Sequence, residues 1–180
     1  PVDTNLFPAG FNNLNKDFMP LCVHAAQSTL DRFYPACQRI LIIPETHTRN
    51  QFYLESLYTL QKILISAGYE TRVGSLLPNL KAPMPVDLAS GNQILLEPIQ
   101  RHEDKITVEN FNASLILLNH DMSGGIPEIL QNLKQTIIPP LELSWAFRKK
   151  SEHFKHYAET AQELAEIIDI DSWLINPLYR

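Results

Sequence analysis

Residues 39–75, RILIIPETHTRNQFYLESLYTLQKILISAGYETRVGS, decide the fold. Arg39 to Pro44 is a short apolar run and reads as a buried strand. Thr46 to Asn50 is polar. From Gln51 to Ala67 the residues Leu54, Leu57, Tyr58, Leu60 and Leu64 recur at helical spacing, and Gly68 stands where a helix C-cap belongs. Glu70 to Ser75 reads as a second strand. Strand, helix, strand in this order implies a parallel pair joined by a right-handed crossover.

A second stretch, SLILLNHDMSGGIP at 114–127, has a related design. Its apolar run is another buried strand, and Asn119, His120 and Asp121 sit where that strand emerges. Ser123, Gly124 and Gly125 make a tight turn, and Pro127 suits the first position of a helix. Ligands of open α/β sheets bind at the carboxyl ends of the strands. Free N–H groups at a following helix start favour an anionic group. The segment therefore points to a small-molecule site.

The rest of the chain fits around these two stretches. Pro1 to Asn15 is irregular, with Phe7 and Phe11 as anchors. Asp17 is placed to cap a helix with Leu21, Ala25 and Leu30 on its apolar face, ending before Pro35. Leu76 to Pro85 reads as a proline-rich loop. Asn92 to Val108 reads as a hairpin turning near His102, Glu103 and Asp104. A short helix is expected from Pro127 to about Leu133, and a longer one from Leu143 to Asp169 with a bend near Lys150 and Ser151. The expected fold is a single α/β domain over 1–180. It has three layers, a mainly parallel sheet flanked by helices, and an added hairpin.

Bulk properties narrow the function. The 180 residues are 44% hydrophobic and carry a net charge of −5, with a pI near 5.7. Such a balance argues against a nucleic-acid protein driven by phosphate contacts. No apolar run approaches the roughly 20 residues that span a bilayer. No charged n-region precedes an apolar segment at the N-terminus, so no signal peptide is expected. Cys22 and Cys37 read as buried, reduced thiols, which suits the cytoplasm. The chain opens at Pro1 and stops at Arg180 without a tail, as a piece of a longer polypeptide would.

Several residues could carry chemistry. Asn119 and Asp121 can hold an ammonium or amide through directed hydrogen bonds; alternatively, Asp121 and Ser123 cap the following helix. His120 is a weaker candidate. Arg49 could grip a carboxylate or phosphate, or the segment Glu45–Asn50 could be only a capped helix start. Arg148, Lys149, Lys150 and His153 form a basic cluster suited to an anion or to solvent. Glu45, His47, His120 and Asp121 could converge, but no single element carries tight metal-ligand spacing. No P-loop, G-x-G-x-x-G or nucleophile elbow is present.

The runs VDTNLFPAGFNNL (2–14), LLNHDMSGGIPEIL (117–130), PPLELSWAFRKKSEHF (139–154) and IDSWLINPLY (170–179) resemble the proteobacterial-type glutamate–cysteine ligases. One departure is His120, where that family is expected to carry Asn. The resemblance implies an ATP-grasp-like, Mg²⁺-assisted ligase that makes γ-glutamylcysteine, the first step of glutathione synthesis. ATP would convert the γ-carboxylate of glutamate to an acyl phosphate, and the cysteine amine would displace phosphate. Residues 1–180 would then be the substrate-side domain preceding an absent ATP-grasp domain. Alone they would be inactive and would hold neither ATP, Mg²⁺ nor another metal tightly. Polar clustering in the matching runs makes Asp3, Asn5, Asn12, Asn13, Asn119, Asp121, Ser123 and Arg148 candidate substrate-binding residues, with no catalytic residue singled out. The alternative is a stand-alone α/β module for an amino acid or small anion, and a third reading is a scaffold for a protein partner.

Overall fold

The computed structural model describes residues 7–46, 50–147 and 150–175, without the side chains of 150, 151 and 153. The decisive unit forms as expected. Strand β1 (Arg39–Pro44), helix α2 (Gln51–Ser66) and strand β2 (Glu70–Ser75) succeed one another, and β1 pairs with β2 in parallel from Arg39↔Glu70 to Ile42↔Val73. Gly68 has φ 99° just past the helix, a conformation that suits glycine at a helix end.

Helix α1 (Met19–Phe33) precedes this unit. Strands β3 (Met84–Asp87), β4 (Gln93–His102), β5 (Lys105–Val108), β6 (Phe111–Asn112), β7 (Leu115–Asn119) and β8 (Thr136–Ile138) follow it, and helix α3 (Lys150–Ile167) comes last. Among the described residues, eight strands form one sheet in the order β6-β5-β4-β2-β1-β7-β8, with β3 paired to β4. Contacts from β4 through β2, β1 and β7 to β8 are parallel. Strands β3, β5 and β6 extend the sheet in antiparallel fashion. The hairpin turns at Glu103 and Asp104, between the paired His102 and Lys105.

Residues 40–43 of β1 are fully buried, because both sheet faces are covered, and alternate side chains point to opposite faces. Ile40 and Ile42 pack with Leu30 of α1 and Leu54, Leu57 and Leu60 of α2. Leu41 and Ile43 pack with Ile106, Val108 and Phe111, together with Met122 and Leu130. The antiparallel strands thus share in covering the second face.

Some local expectations give way. Asp17 does not cap α1, which has no side-chain cap; Asn15 caps the 3-10 turn Lys16–Phe18 before it, its Oδ1 accepting the Asp17 N–H at 3.0 Å. Leu21 is exposed, and Leu30 is the buried residue of α1. The stretch read as a loop ends in β3. Pro127–Leu133 supplies only a 3-10 turn at Glu128–Leu130, Leu141–Leu143 is another such turn, and the long helix is described over Lys150–Ile167. Both cysteines are free and half-buried. Burial raises the Cys37 thiol pKa. Among the described residues, no helix is long and apolar enough to cross a membrane.

Candidate functional site

The carboxyl ends of β1 and β7 lie side by side, their last pair being Pro44↔Asn119. Beyond it, side chains take over from the ladder. The Tyr53 hydroxyl, from the first turn of α2, accepts the Glu45 N–H at 2.8 Å and donates to the Asn119 carbonyl at 3.0 Å. Burial is the main reason the Tyr53 pKa is raised, against the lowering effect of the Glu45 N–H. The phenol therefore stays protonated and serves as donor and acceptor together. Asn50 caps α2, its Oδ1 accepting the Tyr53 N–H at 3.2 Å. Of the readings for 45–50, the capped helix start is realised at Asn50, while His47 to Arg49 lie outside the described residues.

Glu45 braces the opposite loop. Its Oε1 accepts the Asp121 N–H at 2.8 Å, and its Oε2 lies 3.5 Å from His120 Nε2. His120 Nδ1 accepts the Met122 N–H at 2.9 Å. That bond fixes the neutral tautomer, with the ring proton on Nε2 facing Glu45. Met122 is fully buried at φ 56°, a left-handed conformation costly for a side chain of its size. The Met122 carbonyl accepts the Gly125 N–H at 3.0 Å.

Ligand atoms of Glu45, His120 and Asp121 lie within 4.8 Å of one another. Their bonding opposes a metal. A metal-bound histidine donates its second ring N–H, whereas His120 uses Nδ1 as an acceptor and keeps its proton on Nε2. Both Glu45 oxygens also face N–H groups. The trio acts as a brace for the loop.

The candidate residues take different places. Asn12 and Asn13 lie on a 3-10 turn, Phe11–Asn13, Asn12 half-buried and Asn13 exposed. Asn119 is buried, and its Nδ2 donates to the Pro8 carbonyl at 3.3 Å. It ties the N-terminal segment to the sheet edge. Asp121 is half-buried, its Oδ1 accepting the Ser123 N–H at 2.9 Å. This closes an Asx-turn in the loop, and the helix cap that was the alternative reading does not form. Ser123 is exposed. Pro127 precedes the 3-10 turn without a side-chain cap, and so short a turn does not provide the anion-binding helix start that was expected. Asp3, Asn5, Arg148 and Lys149 lie outside the described residues, as do the side chains of Lys150 and His153.

Sequence reasoning missed Tyr53 and Ser56. The buried Ser56 hydroxyl accepts the N–H groups of Gly10 at 3.0 Å and Phe11 at 3.1 Å. Their only sequence signal was a polar group on the inward stripe of an amphipathic helix. The Trp145 N–H donates to the Asp121 carbonyl at 3.1 Å, which brings 144–147 to the same loop. A groove of about 470 Å³ opens beside it, lined by Gly125, Ile126, Leu141 and Phe147 among others.

These features define an α/β domain with polar loops gathered at the carboxyl edge of a mainly parallel sheet, the class that builds small-molecule sites there. The model of the glutamate-cysteine ligase family (GshA) matches residues 1–180. The chain belongs to the glutamate-cysteine ligase family. It is also similar to the crystal structure of "Putative gamma-glutamylcysteine synthetase" from Methylobacillus flagellatus KT, at 52% identity and a TM-score of 0.87. That match covers 99% of this chain and 42% of the other. No curated protein matches.

Proposed function

We propose that this chain is the N-terminal, substrate-side domain of an ATP-dependent glutamate–cysteine ligase of the cytoplasm, acting with a following ATP-grasp domain. The observation that carries the reading is the 52% identity over 99% of the chain to a structure described as a γ-glutamylcysteine synthetase. ATP and Mg²⁺ would supply activation of the glutamate γ-carboxylate as an acyl phosphate, which the cysteine amine then attacks with loss of phosphate.

The described sheet edge does not suit the nucleotide. Its loops present carboxamides and carboxylates, and the Glu45 and His120 donor atoms are engaged. Nucleotide and metal are therefore assigned to the remainder of the ligase. The edge suits an amino acid instead. Asp121 offers a half-buried carboxylate to an ammonium group. Asn12 offers a half-buried carboxamide, and Asn13 and Ser123 offer exposed hydrogen-bonding groups. Asn119 acts through the Pro8 segment, and Asp3, Asn5 and Arg148 join the proposal from the matching runs.

The test is ADP release with glutamate and cysteine, measured for residues 1–180 and for the product of the reading frame continued past Arg180. Activity in the longer protein alone is expected. A longer protein that releases no ADP with this pair would sink the reading, and tight amino-acid binding by 1–180 alone would favour a stand-alone binding module.

A further inference from the structure

We propose that Tyr53 is a positioning residue for the ligase site, its hydroxyl joining the two loops that leave β1 and β7 and Glu45 extending that join to Asp121. This rests on the reading just given. Parallel neighbours are held by ladder hydrogen bonds only as far as they pair, and here the last pair is Pro44↔Asn119. Loops leaving two strand ends would separate without another tie. One phenol supplies it, linking the first residue past β1 to the last residue of β7. Glu45, held by that phenol through its N–H, places its carboxylate on the Asp121 N–H and beside His120. The ties run in series: α2 sets Tyr53, Tyr53 sets Glu45, and Glu45 sets Asp121. Burial keeps the hydroxyl protonated, so the tie does not switch within the ordinary pH range.

Such a residue touches no substrate, yet it governs where Asp121 stands. Small misplacement of a binding group is costly in turnover at limiting substrate. Tyr53→Phe keeps the ring and removes only the hydroxyl. In the full-length ligase, the KM for the amino-acid substrate served by Asp121 is expected to rise by about fivefold or more, with kcat changed far less. Amide hydrogen exchange at Asp121 and Met122 is expected to quicken by about tenfold, while the amides of β5 keep their protection. Ile106→Val, in β5, controls for general destabilisation and is expected to leave KM alone.

Unchanged KM and unchanged exchange at 121–122 in Tyr53→Phe would overturn the proposal. So would a rise in KM reproduced by Ile106→Val. If Tyr53→Phe does not fold, Glu45→Gln tests the next tie in the series. It turns an amide N–H toward one of the N–H groups the carboxylate now receives, and the same rise in KM and exchange is expected. Exchange needs no turnover, so an inactive wild-type protein would sink the ligase reading while the role of Tyr53 is still decided.

Discussion

The Ser56 hydroxyl receives the N–H groups of both Gly10 and Phe11, at 3.0 and 3.1 Å. A single side chain of α2 thus seats the N-terminal segment, across more than 40 residues of sequence. Phe11 packs against the α1–α2 face of the core, and the Asn12 and Asn13 side chains are presented from the turn so anchored.

Ser56→Ala removes the shared acceptor and leaves two backbone donors without it. A loss of about 1–3 kcal/mol is expected, read as a lower urea midpoint at unchanged m-value. Faster amide exchange at Gly10 and Phe11 would accompany it. An unchanged midpoint would show that water replaces the hydroxyl at no cost.

Gly74 lies in β2, opposite Glu97 of β4. A Cβ there would meet Ile99 Cγ1 at 2.8 Å and Leu41 Cδ1 at 3.1 Å. Glycine in a strand interior marks such close approach. Gly74→Ala is expected to destabilise by about 1–3 kcal/mol through overpacking. Thermal unfolding checks it, and Ile99→Val in the same chain should recover part of the loss.

Tyr69 is buried, and its hydroxyl donates to Asp31 Oδ1 at 2.9 Å. Burial first, then the Asp31 bond and charge, push its pKa from 10.0 up to about 12. The folded state therefore favours the protonated phenol. Its contribution is complete below the unfolded pKa and is lost as pH rises from about 10 through about 12. Phenolate absorbance should show the late titration. Tyr69→Phe should flatten the alkaline fall in stability.

Asp121→Ala and Asn119→Ala should both raise the substrate requirement of the full-length ligase, for different reasons. Asp121→Ala removes a charged binding group, and a loss of about tenfold or more in kcat/KM is expected. Asn119→Ala frees the Pro8 segment, so its effect should come with lower stability. Steady-state kinetics beside unfolding curves separate the two. Unchanged kinetics in Asp121→Ala would remove it from the site.

Much of the framework was legible in sequence because it is written in periodicity. Ile40–Pro44 is continuously apolar since both faces of β1 are covered, and the leucines of α2 mark its inward stripe. Strands β3 and β8 were not legible. Each is short, and Pro85 closes the stretch read as a proline-rich loop, although β3 can carry proline because among the described residues it pairs only with β4. The ends of β1 and β7 announced Asn119 and Asp121 as polar residues following an apolar run. Tyr53 and Ser56 gave no such notice. Their partners are backbone atoms of Glu45, Asn119, Gly10 and Phe11, and a main-chain donor or acceptor has no letter in the sequence.

Strand β4 changes partner along its length. Gln93 to Leu96 pair with β3, Glu97 and Pro98 with β2, and Ile99 to His102 with β5. It works as a splice between the parallel and antiparallel parts of the sheet, and parity of residue count carries the alignment across the splice. One residue added near Glu97 would turn every later side chain of the strand to the opposite face, setting the Ile99 half of the joint inside out against the Ile94 half. A residue added at the Glu103–Asp104 tip would meet no such rule. The sheet is thus tolerant of length at its edge and intolerant at its joint.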